Sequence, residues 1–170
     1  MIEREAQGTQ LTSEQAAEHE YWMDQARLLA LEAGAVGEIP VGAIVVAPQG
    51  QVVGSGHNRK ERDQDPTAHA EMLAIRAAVR YLGDWHLNQC RLYVTLEPCP
   101  MCAGAIIQAR LGLLVYGASD PKTGAIRSVL NLPDSPCSFH RLKVIAGVRE
   151  PECRQMLKDW FAQLRSLHNG

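Results

Sequence analysis

A strand-like run, Arg91-Leu-Tyr-Val-Thr-Leu96, leads through Pro98-Cys99-Pro-Met-Cys102 into a helix-like run over 103–110, and upstream a second helix signal opens on Asp65-Pro-Thr-Ala-His69-Ala-Glu71. No other feature constrains the fold as much, because histidine and cysteine are the nitrogen and sulfur donors that zinc gathers tetrahedrally. If His69, Cys99 and Cys102 meet at one ion, two helix starts and a strand end must converge. The spacing allows it: residues three apart share a helix face, and the unpaired N–H groups of a first turn favour thiolate over thiol. Three protein ligands leave a fourth position for water, as catalytic zinc sites do. Glu71, two residues beyond His69, points elsewhere on a regular helix and is available as general acid and base.

Two other readings fit the cysteine pair taken alone. Cys-Pro-Met-Cys between a strand and a helix suits a thioredoxin-like redox motif. The pair also suits half of a structural zinc site, with a fourth ligand from Cys90, Cys137, Cys153, His86 or His140. The redox motif leaves His69-Ala-Glu71 without a purpose, and a structural site makes Glu71 a solvated helix residue.

The rest of the chain supplies alternating elements. Residues 1–11 read as a loose tail, and Thr12-Ser-Glu-Gln15 reads as a capping box opening a helix. Along that helix Tyr21 or Trp22, Ala26, Leu29 or Ala30 and Ala33 recur at helical spacing up to Gly34. Val41–Ala47 and Gln51–Gly56, joined at Pro48-Gln-Gly50, form a hairpin signal, and the polar stretch His57–Pro66 reads as a loop. Strands follow at Leu113–Tyr116 and Leu142–Ala146, with a loop from Gly117 to Gly124 and a closing helix at Glu152–Leu167. The expectation is an α/β fold: a mixed five-stranded sheet covered on both faces as a three-layer α/β/α sandwich, with residues 12–170 as one domain.

Seventeen Lys and Arg against nineteen Asp and Glu give a net charge of −2, which does not announce a nucleic-acid partner. The ends differ: Glu3, Glu5, Glu14, Glu18 and Glu20 make the start acidic, and Arg141, Lys143, Arg149, Arg154, Lys158 and Arg165 make the last part basic. Apolar runs such as Val41–Ala47 are too short to span a bilayer. Five cysteines, an odd number, and an acidic start without a signal-peptide pattern point to a reducing cytoplasm.

His69-Ala-Glu71 with Pro98-Cys99-Pro-Met-Cys102 resembles the signature of the zinc-dependent nucleotide and nucleobase deaminases. Ile39-Pro-Val-Gly-Ala43, Asn58-Arg59, Asp65–Glu71, Leu92–Ile106 and Asp120-Pro-Lys-Thr-Gly-Ala125 look like the tRNA-specific adenosine deaminases within that superfamily. The resemblance implies a cytidine deaminase-like fold, one zinc ion per chain and a homodimer. It also implies conversion of the wobble adenosine of a tRNA anticodon to inosine, with Glu71 moving protons between water, N1 and the departing amine. Further, it implies that Asn58 hydrogen-bonds the purine, that backbone groups of Ala70 and Pro98 meet its reacting edge, and that Asp120, Lys122 and His140 lie near the anticodon-loop strand. Trp160 and Phe161, helical aromatics, read first as core and second as base-stacking groups. A guanine or cytosine deaminase and a non-enzymatic zinc-stabilised module are the competing functions. The segment 128–139 matches no pattern with a role.

Overall fold

The computed structural model describes residues 11–168, so all but the last residue of the expected loose tail, and Asn169 and Gly170, lie outside the described residues. The elements in order are α1 (Ser13–Ala35), β1 (Gly42–Val46), β2 (Val52–His57), α2 (Lys60–Asp63), α3 (Ala70–Leu82), β3 (Arg91–Leu96), α4 (Pro100–Gln108), β4 (Leu113–Ala118), β5 (Lys143–Ala146) and α5 (Glu150–His168). The strands form one sheet in the order β2-β1-β3-β4-β5. β1 runs antiparallel to β2 and β3, whereas β3, β4 and β5 are mutually parallel, giving the expected mixed five-stranded sheet.

Strand alternation builds the three layers. On one face Ala43, Val45, Leu92, Val94, Leu114 and Tyr116 pack with Ala70, Ala74 and Ala78 of α3 and Ala103 and Ile106 of α4. On the other, Ile44, Val46, Tyr93 and Val115 pack with Met23 and Ala26 of α1 and Cys153 of α5. Glycine brings the helices close. A Cβ at Gly42 would lie 2.1 Å from the Ala26 carbonyl oxygen of α1, and one at Gly54 would lie 2.2 Å from that of Ala74 in α3.

The capping box at the start of α1 is present: Thr12 Oγ1 accepts from Gln15 N and Gln15 Oε1 accepts from Thr12 N. Its buried stripe is His19, Met23, Ala26, Ala30 and Ala33. Trp22 and Leu29 pack at the stripe's edge, but Tyr21 points outward and is 55% exposed. The helix passes Gly34 to end at Ala35. α5 is held to α1 by Arg149, which reaches Glu20 and Asp24 at 3.2 Å each, and by Trp160 Nε1 donating to the Gly34 carbonyl.

The stretch His57–Pro66, expected as loop throughout, instead contains the end of β2 and the short helix α2. Its four residues show no apolar periodicity to read. An Arg59–Asp63 ion pair at 2.8 Å and a bond from Arg62 N to the buried Glu38 Oε1 hold it, and Gln64 closes it in the left-handed region at φ 48°. Among the described residues no helix is long and apolar enough to cross a membrane.

Candidate active site

Asp65 Oδ1 accepts from Thr67 N and Thr67 Oγ1, a tight turn that steers the chain into α3. His69 is the N-cap residue, extended at φ −78° and ψ 151°, and makes no side-chain capping bond. Its ring is therefore free to face α4. There Cys99 is also an N-cap residue rather than part of the first turn, with Pro100 at the next position, where a missing N–H costs nothing. Cys102 lies inside that turn.

His69 Nδ1 lies 3.7 Å from Cys99 Sγ and 3.5 Å from Cys102 Sγ. Zinc bonds of the usual lengths to sulfur and nitrogen, set tetrahedrally, give N···S edges of about 3.6 Å, so these residues fit the ion. Among the described residues no fourth histidine, cysteine or carboxylate joins this cluster. The hydrogen bond from Cys102 leads in holding the Cys99 thiol down to about 4, against burial and with His69 assisting. The same contact, with burial, pushes the Cys102 thiol upward, and the bond to Cys99 raises His69 against burial. Zinc would bind both sulfurs as thiolates, releasing any proton they hold.

Glu71 is 4% exposed and lies outside the metal cluster. Burial pushes its carboxyl up to about 7, outweighing its own backbone hydrogen bond and the His69 ring. A carboxyl so poised holds or releases a proton near neutrality.

These groups open into a pocket of about 160 Å³ whose walls include Asn58, His69, Glu71, Cys99 and Asp120. Asn58 is buried, with Oδ1 accepting from Ala70 N at 3.0 Å and Nδ2 donating to the Ile39 carbonyl at 3.1 Å. The Ala70 amide is therefore already engaged, and the Pro98 carbonyl accepts from Ala125 N at 2.9 Å. Asp120 closes its own turn, with Oδ1 accepting from Lys122 N and Thr123 N and Oδ2 from Thr123 Oγ1.

Lys122 does not line this pocket. It turns into a neighbouring groove of about 350 Å³ with Arg154, Lys158, Arg165 and Phe161. Phe161 is thus a groove residue, 39% exposed, and half-buried Trp160 packs edge-on against it. His140 is also not brought to the pocket in this chain. Its Nε2 meets the Leu111 carbonyl just beyond the far end of α4, the opposite end of that helix from the cysteines. A groove of about 610 Å³ between α1 and α5 is lined by none of His69, Glu71, Cys99 and Cys102.

Ile39, Val41, Lys60, Leu96, Glu97 and Thr123, none of them given an individual role from sequence, also line the pocket. All but Lys60 fall in segments that carried the resemblance, and Glu97 had a further signal, a charge set between a buried strand and the metal motif.

The model of the cytidine and deoxycytidylate deaminase zinc-binding region matches residues 16–118. A tRNA-specific adenosine deaminase of Bacillus subtilis (strain 168) is 44% identical over 146 residues, covering 86% of this chain and 90% of that protein. A tRNA(Ile)-lysidine synthase of Deinococcus deserti is 48% identical over 143 residues, 84% of this chain but 27% of that protein, so the chain spans about a quarter of that relative. A solved structure from work on A-to-I editing by tRNA:A34 deaminases at the wobble position of transfer RNA superposes with a TM-score of 0.77 at 42% identity, covering 80% of this chain and 98% of that one. With a zinc-fitting cluster set in this fold, the chain belongs to the zinc-dependent cytidine and deoxycytidylate deaminase family, among the tRNA-specific adenosine deaminases.

Proposed function

We propose that this chain hydrolyses the 6-amino group of adenosine, giving inosine, at the wobble position of a tRNA anticodon. The observation that carries the reading is a buried carboxyl, Glu71, beside a three-donor metal cluster in a pocket of about 160 Å³. Sites that enclose a whole small ligand run to roughly 300–1,000 Å³. The smaller space suits one planar base swung out of a strand, with the rest of the substrate outside.

Zinc held by His69, Cys99 and Cys102 would supply an activated water, lowering its pKa to about 7. As the water oxygen bonds to C6 of the purine, Glu71 carries the first water proton to N1; it then carries the second, from the C6 hydroxyl, to the 6-amino group, so that the C6–N bond breaks and ammonia leaves. Asn58 has a second Nδ2 hydrogen beyond its bond to Ile39 and offers it to a ring nitrogen. The Pro98 carbonyl has a second lone pair for the 6-amino group, and Ala70 serves the base through Asn58, which its amide holds in place. Asp120 borders the entrance, and Lys122 with Arg154, Lys158 and Arg165 offers phosphate contacts, Phe161 a stacking face. Residues that looked scattered in sequence thus gather on one groove, the support for an RNA partner that net charge withheld. We place the protein in the cytoplasm as a homodimer, residues 12–170 forming one deaminase domain.

A substrate panel tests this reading. Zinc-loaded protein is offered an anticodon stem-loop with a wobble adenosine, free adenosine, guanine and cytosine. Turnover of the stem-loop is expected, whereas rapid guanine or cytosine turnover with inert RNA would reverse the assignment. No deamination of any of them would make the cluster a stabilising module.

A further inference from the structure

Glu97 follows the last residue of β3, stands two residues before Cys99 and is 2% exposed. Among the described residues no ion pair is formed by its carboxylate. Its Oε1 accepts from the backbone amides of Ile126, Arg127 and Ser128 at 3.2, 2.8 and 2.9 Å. Its Oε2 accepts from Asp120 N at 3.0 Å and from the Ser128 hydroxyl. One side chain therefore gathers both ends of the loop 120–128, the loop whose Asp120 and Thr123 form a wall of the pocket. Backbone bonds run alongside, from Glu97 N to the Ala118 carbonyl and from Ala125 N to the Pro98 carbonyl. Gly124 leaves room for the arrangement, since a Cβ there would lie 2.5 Å from both Cδ and Oε2 of Glu97.

We propose that Glu97 is a positioning residue for the substrate: it sets the 120–128 loop against the metal-bearing turn, so that a strand held by that loop presents its base at the depth of Glu71. The inference rests on the RNA reading above. A side chain serving only to stabilise the fold has no reason to fasten one pocket wall to the segment that carries a metal ligand through five separate donors. Because the loop holds the strand and Glu71 performs the proton transfers, loosening this knot weakens substrate capture and leaves the chemical step in place.

The test compares zinc-loaded wild type with Glu97→Gln, Gly124→Ala and Ser128→Ala on the wobble-adenosine stem-loop. The glutamine replaces one acceptor with a donor, the alanine at 124 presses on the carboxylate from the loop side with Glu97 intact, and the alanine at 128 removes one donor. For the first two, KM rises roughly tenfold, the scale of losing a charge-assisted hydrogen bond, with kcat within about threefold and zinc content unchanged. Ser128→Ala moves KM in the same direction by less and keeps the test open if Glu97→Gln fails to fold. Folded variants with wild-type KM, or a loss confined to kcat or zinc content, would overturn the proposal. Wild-type protein inert on the stem-loop would bring down the RNA reading and this inference with it, whereas active wild type with unmoved variants sinks the inference alone.

Discussion

Asn58 Oδ1 accepts the amide hydrogen of Ala70 at 3.0 Å, so a pocket residue also caps the helix that carries Glu71. An N-cap side chain ordinarily accepts from amides further along the first turn, but here that residue is His69, whose ring faces the thiols. Capping is thus delegated to another segment, which frees the ligand.

That delegation makes Asn58→Ala costly twice over. The amide of Ala70 loses its partner in a buried site, and stability should fall by about 1–2 kcal/mol in urea denaturation. Asn58→Asp keeps the acceptor for Ala70 N but turns its second oxygen toward the Ile39 carbonyl and loses the Nδ2 donors, so it should lose deamination. Wild-type stability of the alanine variant would refute the capping role.

Glu71→Gln preserves the shape of the pocket and removes its proton carrier. Zinc content should stay at one per chain, while single-turnover deamination falls by about a hundredfold to ten-thousandfold. Undiminished turnover would remove Glu71 from the mechanism.

Chelation should abolish turnover and lower the melting temperature, and zinc should restore both, since a ligand bound only by the folded state stabilises it. Cys102→Ala deletes one of three donors and should leave the protein with little bound zinc by elemental analysis. Full zinc content in that variant would contradict the ligand set.

His19 gives a pH signature away from the site. Its Nδ1 lies 3.0 Å from Tyr93 Oη, and burial leads in holding the ring below its ordinary value, with Glu18 opposing and Arg91 assisting. Because the folded ring resists a proton that the unfolded chain accepts, its contribution is intact above about pH 6.5 and is lost as pH falls through that value. Denaturation of His19→Gln between about pH 7 and pH 5 should show a shallower loss than wild type; parallel curves would mean that the ring does not titrate differently on folding.

Where a few neighbouring residues decide the outcome, the sequence was readable: the capping box at Thr12 and Gln15, the hairpin, and the two helix starts that join His69 to the cysteines. Reading failed where distant segments decide. α2 has no apolar face to signal it, and a partner 24 positions upstream, Glu38, anchors its Arg62 amide. Tyr21 and Trp22 fit helical spacing equally well, and packing on Tyr93 selects Trp22. His140 is drawn to Leu111 by a turn with no periodic pattern, and the basic groove exists only because α5 folds back beside Lys122.

Position-resolved inosine mapping in heavy-oxygen water tests the central claim most directly. Zinc-loaded protein is incubated with an anticodon stem-loop that carries adenosines at the wobble position and elsewhere, and the RNA is cut into oligonucleotides whose fragments are weighed and sequenced by mass spectrometry. Inosine at the wobble position alone, with one solvent oxygen in each, is the expected result; no inosine, inosine scattered over other adenosines, or inosine without solvent oxygen would contradict it.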